Sequence, residues 1–279
     1  MPSSPLSSSR IVFLDIDGTY AWHGAVPEAH VAAVRQVREN GHRVLLCTGR
    51  ARCAVSSRLL EAGFDGVVAG AGAYAEIDGR VLRDEVFPAA LARRTIDALA
   101  SYHAVSLVES TAALYALPDA HEAIEERSRR HGGAGAQVAL WEDLRAARLV
   151  VDTLHGLSFA KVVTLRADTD LSVIAAAIGP EVAAVETSLR DLGRGAGELY
   201  LTHVSKAVGI AAVVEHLGLT PADVIGVGDG PNDIEMLEYA GTAVGIAGGH
   251  PDVLTIADVV ADGPEHAGLV GAFAELGLI

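Results

Sequence analysis

Residues 10–19 read Arg-Ile-Val-Phe-Leu-Asp-Ile-Asp-Gly-Thr. Ile11 to Leu14 form an apolar run with no polar interruption, the pattern of a strand buried on both faces of a parallel sheet. The run ends in two aspartates. Ligands of open α/β sheets bind beyond the carboxyl ends of the strands, so Asp15 and Asp17 are the first candidate site residues.

The same alternation continues outward from this stretch. A helix is expected over residues 27–40, where Val31, Val34 and Val37 recur at helical spacing between Pro27 and Asn40-Gly41. A strand HRVLLCTG, a helix over 52–62, a strand GVVAG and a hairpin turning at Asp78-Gly79 follow. Near the other end, a helix over 206–217, a strand DVIGVGD (223–229), a helix over 231–239 and strands in TAVGI and DVVAD repeat the rhythm. Strand and helix in alternation indicate an α/β fold with a Rossmann-like parallel sheet.

Between about residues 84 and 195 the character changes. Charged helical stretches (88–103 and 118–131), the strand FAKVVTLRAD, a helix over 170–178, EVAAVETSLR and GELYLTH mix strands with helices. The expected organisation is a flexible tail (1–9), a core made of 10–83 and 196–279, and an inserted α+β cap (84–195).

The chain has 279 residues, half of them apolar, enough for a sizeable core. No apolar run reaches the length of a membrane span, and the first residues lack the basic start and apolar middle of a secretory signal. With 36 acidic against 21 basic side chains the net charge is −15, which argues against nucleic-acid binding. A small anionic substrate is still compatible with a locally cationic pocket. Cys47 and Cys53, the two cysteines, are too few for a disulfide framework or structural zinc, and a reducing cytoplasm is expected. Of the 21 basic residues only Lys161 and Lys206 are lysine.

Polar residues that close the apolar runs define the candidate site. Asp15 and Asp17 follow IVFL, Thr48 follows VLLC and Asp229 follows VIGVG; Asp233 lies one turn further on, and Lys206 opens a helix. Four carboxylates in one crevice repel one another unless a cation joins them, and an oxygen-only donor set favours Mg²⁺. Thr48 and Lys206 supply a hydroxyl and a point positive charge for phosphate oxygens, while Gly18 and Gly49 allow tight turns that aim backbone N–H groups at an anion.

These residues resemble the motifs of haloacid dehalogenase superfamily phosphohydrolases. Asp15-Ile-Asp17-Gly18-Thr19 is similar to the DxDGT signature, Thr48-Gly49-Arg50 to the second motif, Lys206 to the third and Gly228-Asp229-Gly230-Pro231-Asn232-Asp233 to the fourth. Order and spacing resemble the Cof-type branch, whose cap lies between the second and third motifs. The resemblance implies Asp15 as nucleophile forming an aspartyl-phosphate and Asp17 as general acid and base. Mg²⁺ would be held by Asp15, the Asp17 carbonyl, Asp229 and Asp233. Thr48, Gly49, Arg50, Lys206 and Asn232 would bind the substrate phosphate. The implied activity is Mg²⁺-dependent hydrolysis of a small phosphorylated metabolite, a sugar phosphate foremost.

The sequence departs from the family pattern at Tyr20, where leucine is usual, and at Gly70 and Gly248, where asparagine is usual. Arg50 has two readings, a phosphate contact or a structural ion pair. Arg166, Arg190 and Arg194 are candidates for a second anionic group, with solvated surface arginines the alternative. Trp22, Tyr115 and Trp141 read as packing residues, Trp22 also as a cleft residue, and Cys47 as inert core. A phosphomutase or phosphotransferase on the same scaffold and a receiver-type phospho-acceptor are the rival functions. GVGDGP is rejected as a dinucleotide fingerprint because Pro231 stands in place of the third glycine.

Overall fold

The computed structural model describes residues 9–131, 138–186 and 193–279; the expected tail lies outside them except for Ser9. In chain order the first unit opens with β1 (Ile11–Leu14), α1 (Glu28–Glu39), β2 (Arg43–Cys47), β3 (Gly66–Ala69), β4 (Tyr74–Ile77) and β5 (Arg80–Asp84). The second unit supplies α2 (Ala89–Ser101), β6 (Val105–Glu109), β7 (Leu114–Ala116), α3 (Pro118–His131), α4 (Val138–Ala147), β8 (Arg148–Val150), β9 (Lys161–Arg166), α5 (Leu171–Ile178), β10 (Val182–Glu186) and β11 (Gly197–Leu201). The first unit resumes with α6 (Lys206–His216), β12 (Val224–Gly228), α7 (Ile234–Tyr239), β13 (Thr242–Ile246), α8 (Pro251–Ile256), β14 (Val259–Ala261) and α9 (Gly268–Glu275).

The first sheet has the order β14-β13-β12-β1-β2-β3-β4-β5. It is parallel from β14 to β3, and β4 reverses direction through a turn at Asp78 (φ 51°) and Gly79 (φ 75°) onto β5. The expected α/β architecture with a parallel sheet is the one observed. β1 lies between β12 and β2, with Leu14 level with Val227 on one side and Leu46 on the other. Three strand ends therefore meet at one edge of the sheet. Ile11, Phe13, Leu45, Cys47 and Val68 pack against Ile210 and Val213 of α6 and Met236 and Leu237 of α7.

The second unit is a six-stranded sheet of order β10-β11-β9-β6-β7-β8, antiparallel apart from the β7–β8 pair. It draws on more of the chain than expected. Residues 196–204 belong to it because β11 pairs with β9 and β10, so the return to the first unit falls at Ser205. Residues 50–56 belong to it as well. Ala51 and Ala54 are buried with Val105, Leu107, Leu114, Ala116, Ala120 and Ile124, and Trp141 packs against this cluster as expected.

The helix expected over 52–62 is not formed. Arg52–Ala54 make a single 3-10 turn between extended Ala51 and Val55, and turns follow. Ser56 and Ser57, which compete for backbone hydrogen bonds, and β-branched Val55 disfavour continuation. Trp22 is not a core residue either: it is 43% exposed, with its ring 4.2 Å from that of His23. Tyr20, by contrast, is fully buried, edge-on to Phe64 and stacked on His30.

His30 on α1 ties two helices together. Its Nδ1 lies 2.9 Å from the Tyr20 carbonyl and its Nε2 accepts the Leu269 N–H of α9 at 3.3 Å, an arrangement that requires the neutral ring with Nδ1 protonated. Burial lowers its pKa below the ordinary 6.5 despite the Tyr20 bond. Protons then bind the unfolded chain more readily than the native one, so this contribution is complete above the unfolded pKa and is lost as pH falls below it. The urea midpoint is expected to drop between about pH 7 and about pH 5, and to drop less in His30→Gln.

Candidate active site

Asp15 follows β1 directly and is 5% exposed, its backbone N–H bonded to the Val227 carbonyl at 3.0 Å. Lys206, the first residue of α6, is 1% exposed. Its Nζ donates to Asp15 Oδ1 at 2.5 Å and also to Asp233 Oδ1. Asp233 in turn accepts the backbone N–H groups of Asp229 (3.0 Å) and Gly230 (2.9 Å) through Oδ2. Thr19, fully buried, donates to Asp229 Oδ1 at 2.8 Å. Asp15, Asp229 and Asp233 offer carboxylate oxygens within 4.8 Å of one another.

Close backbone approach makes this cluster possible. Gly18 has φ +91°, and a Cβ there would stand 2.5 Å from Asp229 Oδ2. The start of α6 is pressed against the turn at 70–72: a Cβ on Gly72 would meet the Ser205 carbonyl oxygen at 1.9 Å, and one on Gly209 would lie 2.8 Å from Gly72 Cα. Gly70 (φ +58°) and Gly248 (φ +83°) are both left-handed. Asparagine is the other residue that commonly adopts that conformation, so these departures from the family pattern leave the backbone geometry accessible.

Thr48 is buried; its N–H donates to Val68 at 2.9 Å and its carbonyl accepts the Ala71 N–H at 3.0 Å. A Cβ on Gly49 would lie 3.6 Å from Asn232 Nδ2, which brings the second and fourth motifs together. Asp17 is exposed, and its carboxylate is not one of the three that lie together. Arg50 belongs to the second unit, where its Nη1 is 3.1 Å from Asp143 Oδ2 and both side chains are 7% exposed. Arg194 pairs with Asp170, Arg166 is an exposed residue of β9, and Arg190 lies outside the described residues.

Electrostatics set the character of the cluster. Burial, joined by the charges of Asp233 and Asp17, holds the Asp15 carboxyl well above its usual range against the opposing pull of Lys206. Burial likewise pushes Asp229 up to about 6, opposed by the Thr19 hydrogen bond. Burial disfavours the Lys206 charge, but Asp15 and Asp233 outweigh it and raise its pKa, so it stays an ammonium. Three carboxylates to one ammonium leave excess negative charge in a low-dielectric pocket. An oxygen-only set in that state fits a hard divalent cation. Burial raises the Cys47 thiol far above its ordinary value, in keeping with an inert core residue.

The sequence profile of haloacid dehalogenase-like hydrolases matches residues 12–273. The chain is a haloacid dehalogenase-like hydrolase. This hydrolase is 28% identical over 278 residues to the Bacillus subtilis (strain 168) protein named "Putative phosphatase YkrA", covering 97% of this chain and 99% of the relative. A solved structure from Geobacillus kaustophilus HTA426 superposes with a TM-score of 0.82 at 25% identity, over 98% of this chain and all of the other. The subclass IIB sugar phosphatase BT4131 superposes with a TM-score of 0.77 at 18% identity, over 97% of this chain and all of its own.

Thr19 is the site residue whose role was not assigned from the sequence, although it lies within the quoted DxDGT stretch. The close approach at Gly72 generates a test. Gly72→Ala is expected to destabilise the hydrolase by about 2 kcal/mol or more, because the added carbon meets backbone rather than a movable side chain. Gly79→Ala, at φ +75° with nothing within 4 Å, is expected to cost about 1 kcal/mol in the same urea titration.

Proposed function

We propose that this haloacid dehalogenase-like hydrolase is a Mg²⁺-dependent phosphomonoesterase acting on a small phosphorylated metabolite of the cytoplasm, a sugar phosphate foremost. The observation that carries the reading is the buried Asp15–Lys206–Asp233 cluster with Asp229 beside it. The phosphatase name of the Bacillus relative and the sugar-phosphatase fold neighbour support it.

Asp15, Asp229, Asp233 and the Asp17 carbonyl would hold Mg²⁺, which when bound would neutralise the repulsion between the Asp15 carboxylate and the incoming phosphate. Asp15 attacks phosphorus in line and the ester oxygen departs, leaving an aspartyl-phosphate. Asp17 gives its proton to that departing oxygen and takes one back from the water that cleaves the acyl phosphate. Lys206 and Thr48 hold phosphoryl oxygens, and Asn232 positions Gly49 and its neighbours. Thr19 fixes the orientation of Asp229. The second unit serves as the substrate-specificity cap.

Among the described residues no helix is long and apolar enough to cross a membrane. The size of the second unit weighs against a receiver-type phospho-acceptor, which has no use for such an insertion.

Asp15→Asn is expected to lower Mg²⁺-dependent phosphate release from an aryl phosphate by about 10³-fold or more. Chelation of divalent ions should abolish release in the native protein, and added Mg²⁺ should restore it. Undiminished turnover by Asp15→Asn removes the nucleophile. A phosphate ester that is isomerised without release of phosphate indicates a mutase, and an aspartyl-phosphate stable for minutes indicates a phospho-acceptor.

A further inference from the structure

The eight-stranded sheet ends on β5, whose outer edge pairs with no strand among the described residues. Its sequence is Arg80-Val81-Leu82-Arg83-Asp84, with an arginine at one end, an aspartate at the other and a leucine at the centre. Leu82 packs against the core of the first unit, whereas Val81 is 51% exposed. Arg80 and Asp84 are exposed, and neither side chain makes a hydrogen bond or ion pair among the described residues. Partial burial raises the Asp84 carboxyl, and no cation offsets it.

The turn before β5 fixes which backbone groups face outward. Asp78 (φ 51°) and Gly79 (φ 75°) make a two-residue hairpin turn with both residues left-handed. Such a turn sets Arg80 opposite Ile77 as a hydrogen-bonded pair, and bonded pairs then recur at every second residue. The N–H and C=O groups of Arg80 and Leu82 therefore turn toward β4, and those of Val81 and Arg83 toward the outer edge.

Charges on an edge strand ordinarily repel a neighbouring strand. Here their placement admits one neighbour, a second β5. When two copies run antiparallel about a two-fold axis through Leu82, Arg80 faces the partner's Asp84 at both ends and Val81 faces the stem of the partner's Arg83. The same axis brings the outward backbone groups of Val81 to those of the partner's Arg83. Moving the axis by one residue breaks the match. About Val81 it opposes Asp78 to the partner's Asp84, and about Arg83 it opposes that arginine to itself. The far edge of the sheet, β14, has three residues and no charge, so nothing there selects a partner.

We propose that the outer edge of β5 is a self-association surface, at which two copies of the chain pair their β5 strands antiparallel about Leu82 and Arg80 of each copy meets Asp84 of the other.

The test is sedimentation velocity of the full chain over a concentration series. Five residues a side make a narrow contact, so the native protein is expected to pass from monomer to dimer between about 10 μM and about 1 mM. Arg80→Asp and Asp84→Arg each set like charges face to face at both ends of the strand pair, and each is expected to weaken association about tenfold or more. Val81→Lys, which brings a further cation against the partner's Arg83, should weaken it likewise. Equal amounts of the two charge reversals, mixed, should associate again because every reversed residue then meets its opposite, and so should the double variant Arg80→Asp/Asp84→Arg. All three positions are exposed, and an unchanged urea midpoint checks that each variant is folded. A native protein that stays monomeric at about 1 mM overturns the surface. A dimer that survives the three single changes overturns it too, as does a failure of the mixture and the double variant to recover association.

Discussion

One ammonium group holds the candidate active site together. Lys206, almost completely buried at the start of α6, bonds Asp15 after β1 and Asp233 before α7, so three separate stretches of chain converge on a single nitrogen. Taking such groups out of water is costly, and their mutual attraction offsets the cost only when geometry is good and remaining oxygens find partners. Asp233 meets that condition through two backbone N–H groups and Asp229 through Thr19. One positive charge still falls short of three negative ones. The shortfall is what a divalent ion would supply, and it ties the stability of the pocket to its chemistry.

The second unit uses charge differently. Its sheet is buttressed on one side by the apolar cluster around Leu107, Leu114 and Ala120, and the polar row Glu109–Lys161–Tyr200 interrupts that regularity. Arg50 and Asp143 make another buried ion pair in the same unit.

Much of the first unit was legible because its strands are uninterrupted apolar runs whose final residues are polar, a pattern that physics allows in few other places. Asp15, Thr48 and Asp229 could be placed at strand ends for that reason. The second unit was less legible. β7 and β8 are three residues each, and Leu149 and Val150 of β8 are exposed, so no burial pattern marks them. The helix expected over 52–62 gave way to a single turn, Arg52–Ala54, because β-branched Val55 and the two serines after it disfavour continuation, a local competition that the apolar spacing alone does not reveal. Close approaches such as Gly72 against Ser205 depend on residues more than a hundred positions apart, which a linear reading does not bring together. Lys161 drew notice by rarity alone, since its ion-pair partners Glu109 and Glu198 lie far from it in the chain.

Residues 50–56 carry a consequence for how proteins of this kind diversify. The second unit would lack Ala51 and Ala54 from its interior if residues 84–204 were lifted out as one block. A working graft of that unit onto another scaffold must bring two pieces of chain, one of which begins immediately after Gly49. Recombination that exchanges specificity is thereby coupled to the loop that closes β2, and lineages that swap one without matching the other would inherit a hollow interior.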